Sequence, residues 1–202
     1  MNIISGVKRK LKTLGDYNKI AGIEKIARRY FVMNTFDGVL AILGVLFGSF
    51  LAGPDPKVVI SAGLGAGIAM GVSGTWGAYL TERAERQMEL KELEMATLTK
   101  LNETKIGKAA TTAVVVIALI DGLAPFLAAS IILAPFLFLQ ALLTTSQIYF
   151  ISAIIAFTML FLLGIFLGKM SKEGLIKTGI IMVLAGVVSA AISFLLLGNS
   201  LK

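Results

Sequence analysis

Asp37 lies in the apolar stretch FVMNTFDGVLAILGVLFGSFLA, and Asp121 lies in AATTAVVVIALIDGLAPFLAASIILAPFLF. Each is followed by glycine, giving Asp37-Gly38 and Asp121-Gly122. A carboxylate in the hydrocarbon core costs roughly 2.5–3.5 kcal/mol on insertion scales, so an intramembrane acid is by default a functional group with a partner. The chemistry open to such groups is the binding of a cation, the carriage of a proton, or a hydrogen bond to a polar group on a neighbouring helix. Pro125 follows Asp121 by four residues. Proline has no N–H, so it releases the Asp121 carbonyl from its helical hydrogen bond, and that oxygen beside a carboxylate makes a plausible cation ligand pair.

Composition narrows the chemistry further. The 202 residues are 56% hydrophobic and 15% charged, with a net charge of +7, which is too apolar for an ordinary soluble domain. Cysteine and histidine are absent. Disulfides, thiolate or imidazole ligation, and Ser-His or Cys-His catalysis are therefore excluded. A metal would be held by oxygen or by methionine sulfur, and oxygen ligands suit magnesium, calcium, manganese and, less selectively, ferrous iron. Met33, Met70, Met159 and Met182 read as packing residues. The sequence has no phosphate-binding glycine loop of the GxxxxGK[ST] kind, no GxGxxG after a strand and no HExxH. Nothing points to an enzyme or to a resident cofactor, and the basic residues flank apolar runs in a pattern that suits an anionic membrane surface rather than nucleic acid.

The elements that must position the two aspartates are membrane helices. Five runs reach the ~20 residues needed to span a bilayer: residues 33–52, 58–80, 109–139, 148–168 and 178–198. The expected fold is an all-α membrane protein with a cytoplasmic or interfacial amphipathic segment at 1–32, a five-span domain at 33–198, and a charged cytoplasmic helical insert at 81–108. Pro125 and Pro135 predict a kink or break in the third span, whose end could lie along the interface. Orientation follows from the lysines and arginines. Eight precede the first span (Lys8, Arg9, Lys10, Lys12, Lys19, Lys25, Arg28 and Arg29), six lie between the second and third, and three lie between the fourth and fifth. The opposite side has Lys57 and Lys202. This places the N-terminus in the cytoplasm and the C-terminus outside a plasma membrane. Asp37 is then near the cytoplasmic face, and Asp121 is about 18 Å along the third span.

Within this frame, residues 17–32 (YNKIAGIEKIARRYFV) read as an amphipathic helix in the cytoplasmic interface, with Ile20, Ile23, Ala27 and Tyr30 at helical spacing. Gly63, Gly67 and Gly71 repeat every four residues in the second span and bare one face of it. That face serves close helix packing or dimerisation, and in the alternative it also lines a narrow path. Beyond Tyr79 the text LTERAERQMELKELEMATLTKLNETK has no helix breaker before Gly107, so the second helix is predicted to continue past the membrane. Glu82, Glu85, Glu89 and Glu92 fall within an arc of about 80° on it. This carboxylate stripe is either a solvated or salt-bridged face or a divalent-cation site. Arg86 is spaced to pair with Glu82 and Glu89.

With these residues set out, the chain resembles the vacuolar iron transporter (VIT) family. The matching features are Asp37-Gly38 and the small-residue apolar run after it, GLGAGIAMGVSGTWGAYLTERAERQ at Gly63–Gln87, and GKMSKEGLIKTGIIMVLAGVVSAAISFLLLG near the C-terminus. The resemblance covers most of residues 20–198. It implies a homodimer that exchanges ferrous iron or manganese for protons, a first-span acidic ligand at Asp37, and a glutamate-rich cytoplasmic region that captures metal, here Glu82, Glu85, Glu89 and Glu92. The chain also departs from the pattern. Where the family commonly reads Ser-Met-x-x-Gly-Glu-Tyr, this sequence reads Ser73-Gly74-Thr75-Trp76-Gly77-Ala78-Tyr79. Gly74 and Ala78 occupy the Met and Glu positions, and Asp121 is the candidate to replace the missing charge. Two other readings remain open: an uncoupled channel for a cation or small solute, and a membrane scaffold whose glutamate helix binds a basic partner.

Overall fold

A computed structural model describes residues 3–200 and is helical throughout. The elements are α1 (Ile3–Ala21), α2 (Ile23–Ala52), α3 (Pro56–Thr97), α4 (Lys105–Phe138), α5 (Thr145–Ser171) and α6 (Leu175–Ser200). The helices α2 to α6 each contain a stretch long and apolar enough to cross a membrane, so this is a multi-pass membrane protein with five such helices among the described residues. Lys202 lies outside the described residues, as do the side chains of Lys8, Arg9 and Lys10.

Local chemistry explains where the helices start and stop. The segment 17–32 does not form one helix. Gly22 adopts φ +61°, in the left-handed region that glycine tolerates best, and separates α1 from α2. Its N–H donates to the Asn18 carbonyl at 2.9 Å, and the Asn18 side-chain oxygen accepts from the Glu24 N–H at 2.7 Å, so one asparagine ties the two helices at their junction. Ile23 and Ala27 are buried and Tyr30 packs with them, whereas Ile20, on α1, is 46% exposed. At the next turn Asp55 caps α3 by accepting from the Lys57 N–H at 2.8 Å, with Pro56 in the first helical position, where its missing N–H costs nothing. The expected extension of the second span is present as one unbroken 42-residue helix, α3. Pro125 and Pro135 both sit inside α4, which runs on through them as a single helix instead of breaking.

The chain forms two compact units, and their boundary falls within α2, α3 and α4. The first comprises the chain up to Phe31 together with Val72–Leu123. Its small core joins Ala21, Ile23 and Ala27 to Ala109, Ala113 and Ile117 of α4. The second comprises Val32–Gly71 and the chain from Ala124 onward. Its larger core includes Ile42, Leu43 and Leu46 of α2, Ile132, Leu133 and Phe136 of α4, and Ile148, Tyr149 and Leu160 of α5. Tyr149 stacks edge-on against both Phe136 and Phe50, with ring centroids 4.9 and 5.3 Å away.

Glycine sets the helix spacing in the second unit, as expected where no aqueous driving force presses helices together. A Cβ on Gly63 would meet the Leu133 side chain at 2.7 Å, and one on Gly67 would meet the Ala129 Cβ at 2.9 Å. The bared face of α3 is thus used, at these two positions, for packing on α4 of the same chain. Along the α5–α6 seam a Cβ on Gly164 would stand 2.5 Å from the Gly179 Cα and 2.6 Å from the Thr178 carbonyl oxygen. Both obstacles are backbone. Gly164→Val is therefore expected to cost about 1–3 kcal/mol or more, read as a lowered thermal midpoint of the purified protein in detergent. Gly65→Ala, at an open position with nothing within 4 Å, is expected to leave the midpoint unchanged.

Candidate functional site

Asp121 belongs to the first unit, where α4 places it opposite α3. Its residue is only 4% exposed. The neighbour that makes room for it is Gly74. A Cβ on Gly74 would lie 3.1 Å from the Asp121 Oδ2, 3.3 Å from the Asp121 carbonyl oxygen and 3.4 Å from the Gly122 Cα. The carboxylate and the carbonyl released by Pro125 therefore face the same bare stretch of α3. Glycine at 74 leaves room for two oxygens of Asp121, one from the side chain and one from the backbone, to share that space. Ala78, one turn further along α3, is buried with 4% exposure. It presents only a methyl group. Sequence reasoning offered Asp121 as a replacement for the charge missing at positions 74 and 78 but could not give the contact with Gly74, because 47 positions separate the two residues and no periodicity reports such a pairing.

Asp37 belongs to the second unit and is placed differently: it is exposed on the outer face of α2. Met33, one helical turn before it, is 56% exposed on that side. The adjacent glycine faces the opposite way. Gly38 is buried, and a Cβ there would meet the Pro125 Cα at 2.8 Å and the Pro125 Cβ and carbonyl oxygen at 3.0 Å. Gly38 and Val39 face inward, and Asp37, about 100° round the helix from Gly38 on the other side, lies on the exposed face. Gly38→Ala is expected to lower stability by about 1–3 kcal/mol and to reduce transport along with it, since any rotation of α2 that relieves the clash also re-aims Asp37; thermal unfolding and flux measured on one preparation would check both.

The glutamate stripe is not a uniform row. Glu82 is buried, with 3% exposure, and its Oε2 lies 3.8 Å from the Arg86 Nε. Glu89 receives Arg86 through Nη1 at 3.1 Å. The remaining guanidinium nitrogen, Nη2, donates to the Ala21 carbonyl at 2.9 Å. Arg86 thus neutralises two of the four glutamates and satisfies one of the carbonyls left without a partner at the C-terminal end of α1, a position where a cation also suits the helix dipole. Glu85 and Glu92 are exposed. No group of three or more acidic side chains among the described residues is arranged to hold a metal ion. Glu94, outside the stripe, accepts from the Leu101 N–H at 2.7 Å and fixes the turn between α3 and α4.

Comparison with known proteins bears on this arrangement at two levels. The profile of the VIT family matches residues 28–104, which cover most of α2, all of α3 and the turn after it. An uncharacterized protein of Methanocaldococcus jannaschii is 34% identical over 193 residues, covering 94% of this chain and 96% of its own length. The matched stretch includes Asp37, Gly74 and the whole stripe from Glu82 to Glu92. On these grounds the chain belongs to the VIT family, a family of membrane metal-ion transporters, and is a divergent member with an archaeal relative.

Proposed function

We propose that the protein is a proton-coupled transporter of a divalent cation, ferrous iron or manganese, and works as a homodimer in the plasma membrane with its N-terminus in the cytoplasm and its C-terminus outside. The observation that carries the reading is the site at Asp121: a buried carboxylate and a proline-released carbonyl facing one glycine. Both are hard oxygen donors, which suits manganese and ferrous iron better than soft metals. A carboxylate can hold a metal ion in one state and a proton in another, so exchange of the two needs no further group.

Asp37 supports the dimer. An exposed carboxylate on a spanning helix is tolerated where it meets water or another protein surface and is costly against lipid. A second copy packed on this face of α2 would cover Asp37 and Met33 and would set two such pairs across a shared path. Asp37 then serves as the cytoplasmic-side ligand and Asp121 as the deeper ligand or proton carrier. Glu85 and Glu92 are the members of the stripe best placed to capture metal, with Glu82 and Glu89 contributing when Arg86 releases them.

The test is uptake of manganese and ferrous iron into proteoliposomes under an imposed proton gradient. Uptake that follows the gradient and drops more than about tenfold in Asp37→Asn is expected. A flux indifferent to the gradient would assign an uncoupled channel, and no flux of any divalent ion would assign a scaffold.

A further inference from the structure

A cavity of about 380 Å³ opens in the first unit between α3 and α4, at the level where the apolar stretch of α3 gives way to its charged extension. Its polar wall carries Arg83, Arg86, Gln87, Asn102 and Thr111, and its apolar end is formed by Tyr79, Val114 and Val115. Among the described residues no carboxylate lines it. The two arginines differ. Arg86 is committed to Glu82, Glu89 and the Ala21 carbonyl. Arg83 is exposed, has its guanidinium carbon 6.0 Å from the centre of the Tyr79 ring, and makes no ion pair with a carboxylate among the described residues. An arginine resting on an aromatic face keeps its fork of donors directed outward, the geometry that receives two oxygens of a phosphate.

The surroundings say which phosphate. Tyr79 and Trp76, the latter 67% exposed, mark the depth at which aromatic side chains favour the membrane–water boundary. Lys105 and Lys108, both exposed at the start of α4, add positive charge at the same end of the spans. A ligand filling the cavity would hold an anionic group on Arg83, Gln87 and Asn102 and rest an apolar chain on Val114 and Val115. We propose that this cavity is a binding site for the phosphate of an anionic phospholipid headgroup, with Arg83 as its principal ligand. The proposal is separate from the transport reading and needs neither aspartate.

The test is thermal unfolding of the full chain in nanodiscs of pure phosphatidylcholine and of phosphatidylcholine mixed with phosphatidylglycerol, together with competition of the two lipids measured by native mass spectrometry. Phosphatidylglycerol is expected to raise the midpoint and to be retained preferentially. Arg83→Gln should weaken that retention about tenfold, the loss expected for one charge-assisted contact. Lys57→Gln, which removes a basic residue at the far end of the α3 span, should leave it unchanged. If inorganic phosphate in phosphatidylcholine discs reproduces the full shift and Arg83→Gln removes it, the phosphate chemistry holds but the lipid as its source is overturned. Equal retention of both lipids by the wild type, or retention in Arg83→Gln equal to wild type, would overturn the site.

Discussion

Asp121→Asn is expected to reduce divalent-metal uptake to background, a fall well beyond tenfold, while leaving the thermal midpoint of the purified protein within a few degrees of wild type. The side chains are nearly isosteric, so packing against Gly74 is preserved. What disappears is the negative charge that a metal ion or a proton must meet. Loss even of an outer-shell partner commonly costs a metal site 10–100-fold in affinity, which sets about tenfold as the floor for loss of a direct ligand. Two companion substitutions separate a ligand role from a packing role. Pro125→Ala restores an N–H that can close the helix onto the Asp121 carbonyl. It should stabilise α4 and yet lower transport, the opposite of what a purely structural proline would show. Gly74→Met fills the space 3.1 Å from Oδ2 with a thioether side chain. It should abolish transport in the Asp121 background, since carboxylate and thioether would compete for one volume. Wild-type uptake by Asp121→Asn would sink the assignment of this group, and the weight would pass to Asp37 alone.

How much of this was legible beforehand depends on the range of the interaction. The spans were readable because length and apolarity are local properties, and the continuation of α3 beyond its apolar stretch was readable because residues 81–97 contain neither glycine nor proline. The break at Gly22 was not readable from the pattern. Ile20, Ile23, Ala27 and Tyr30 share a helical period whether or not the chain turns between the first two, and only the positive φ distinguishes the cases. The proline-containing span looked breakable, but the rest of α4 holds it as one helix, with Pro125 buried and Gly38 of α2 moulded to it. The glutamate stripe shows the limit most plainly. Spacing placed Arg86 beside Glu82 and Glu89, and the structure has both pairs. What spacing cannot report is that the same guanidinium reaches a carbonyl 65 residues away, at the end of α1. Likewise, nothing within α3 alone indicates that Gly63 and Gly67 pack on α4 while Gly74 accommodates a carboxylate.

Arg86→Met is expected to be the most destabilising single substitution outside the transport site. Glu82 is 3% exposed, and the arginine is its only cation partner among the described ion pairs. Removing one member of a buried pair typically costs about 3–5 kcal/mol, because the other charge is left without compensation in a medium that solvates it poorly. The 3.8 Å separation points to the lower part of that range. With a protein of this size the midpoint should fall by on the order of 10 °C. The substitution also frees the Ala21 carbonyl, so α1 should undock. Limited proteolysis near the Gly22 junction would report this as faster cleavage, independently of the midpoint. Glu82→Gln should cost less, about 1 kcal/mol, because Arg86 keeps Glu89 and the Ala21 carbonyl. In the double substitution Glu82→Gln with Arg86→Met, most of the stability should return while the fast cleavage persists. Charge compensation and helix docking are separate functions of one guanidinium, and only the first is relieved by removing the buried carboxylate. A double variant as unstable as Arg86→Met alone would show that Glu82 was never the reason for the cost.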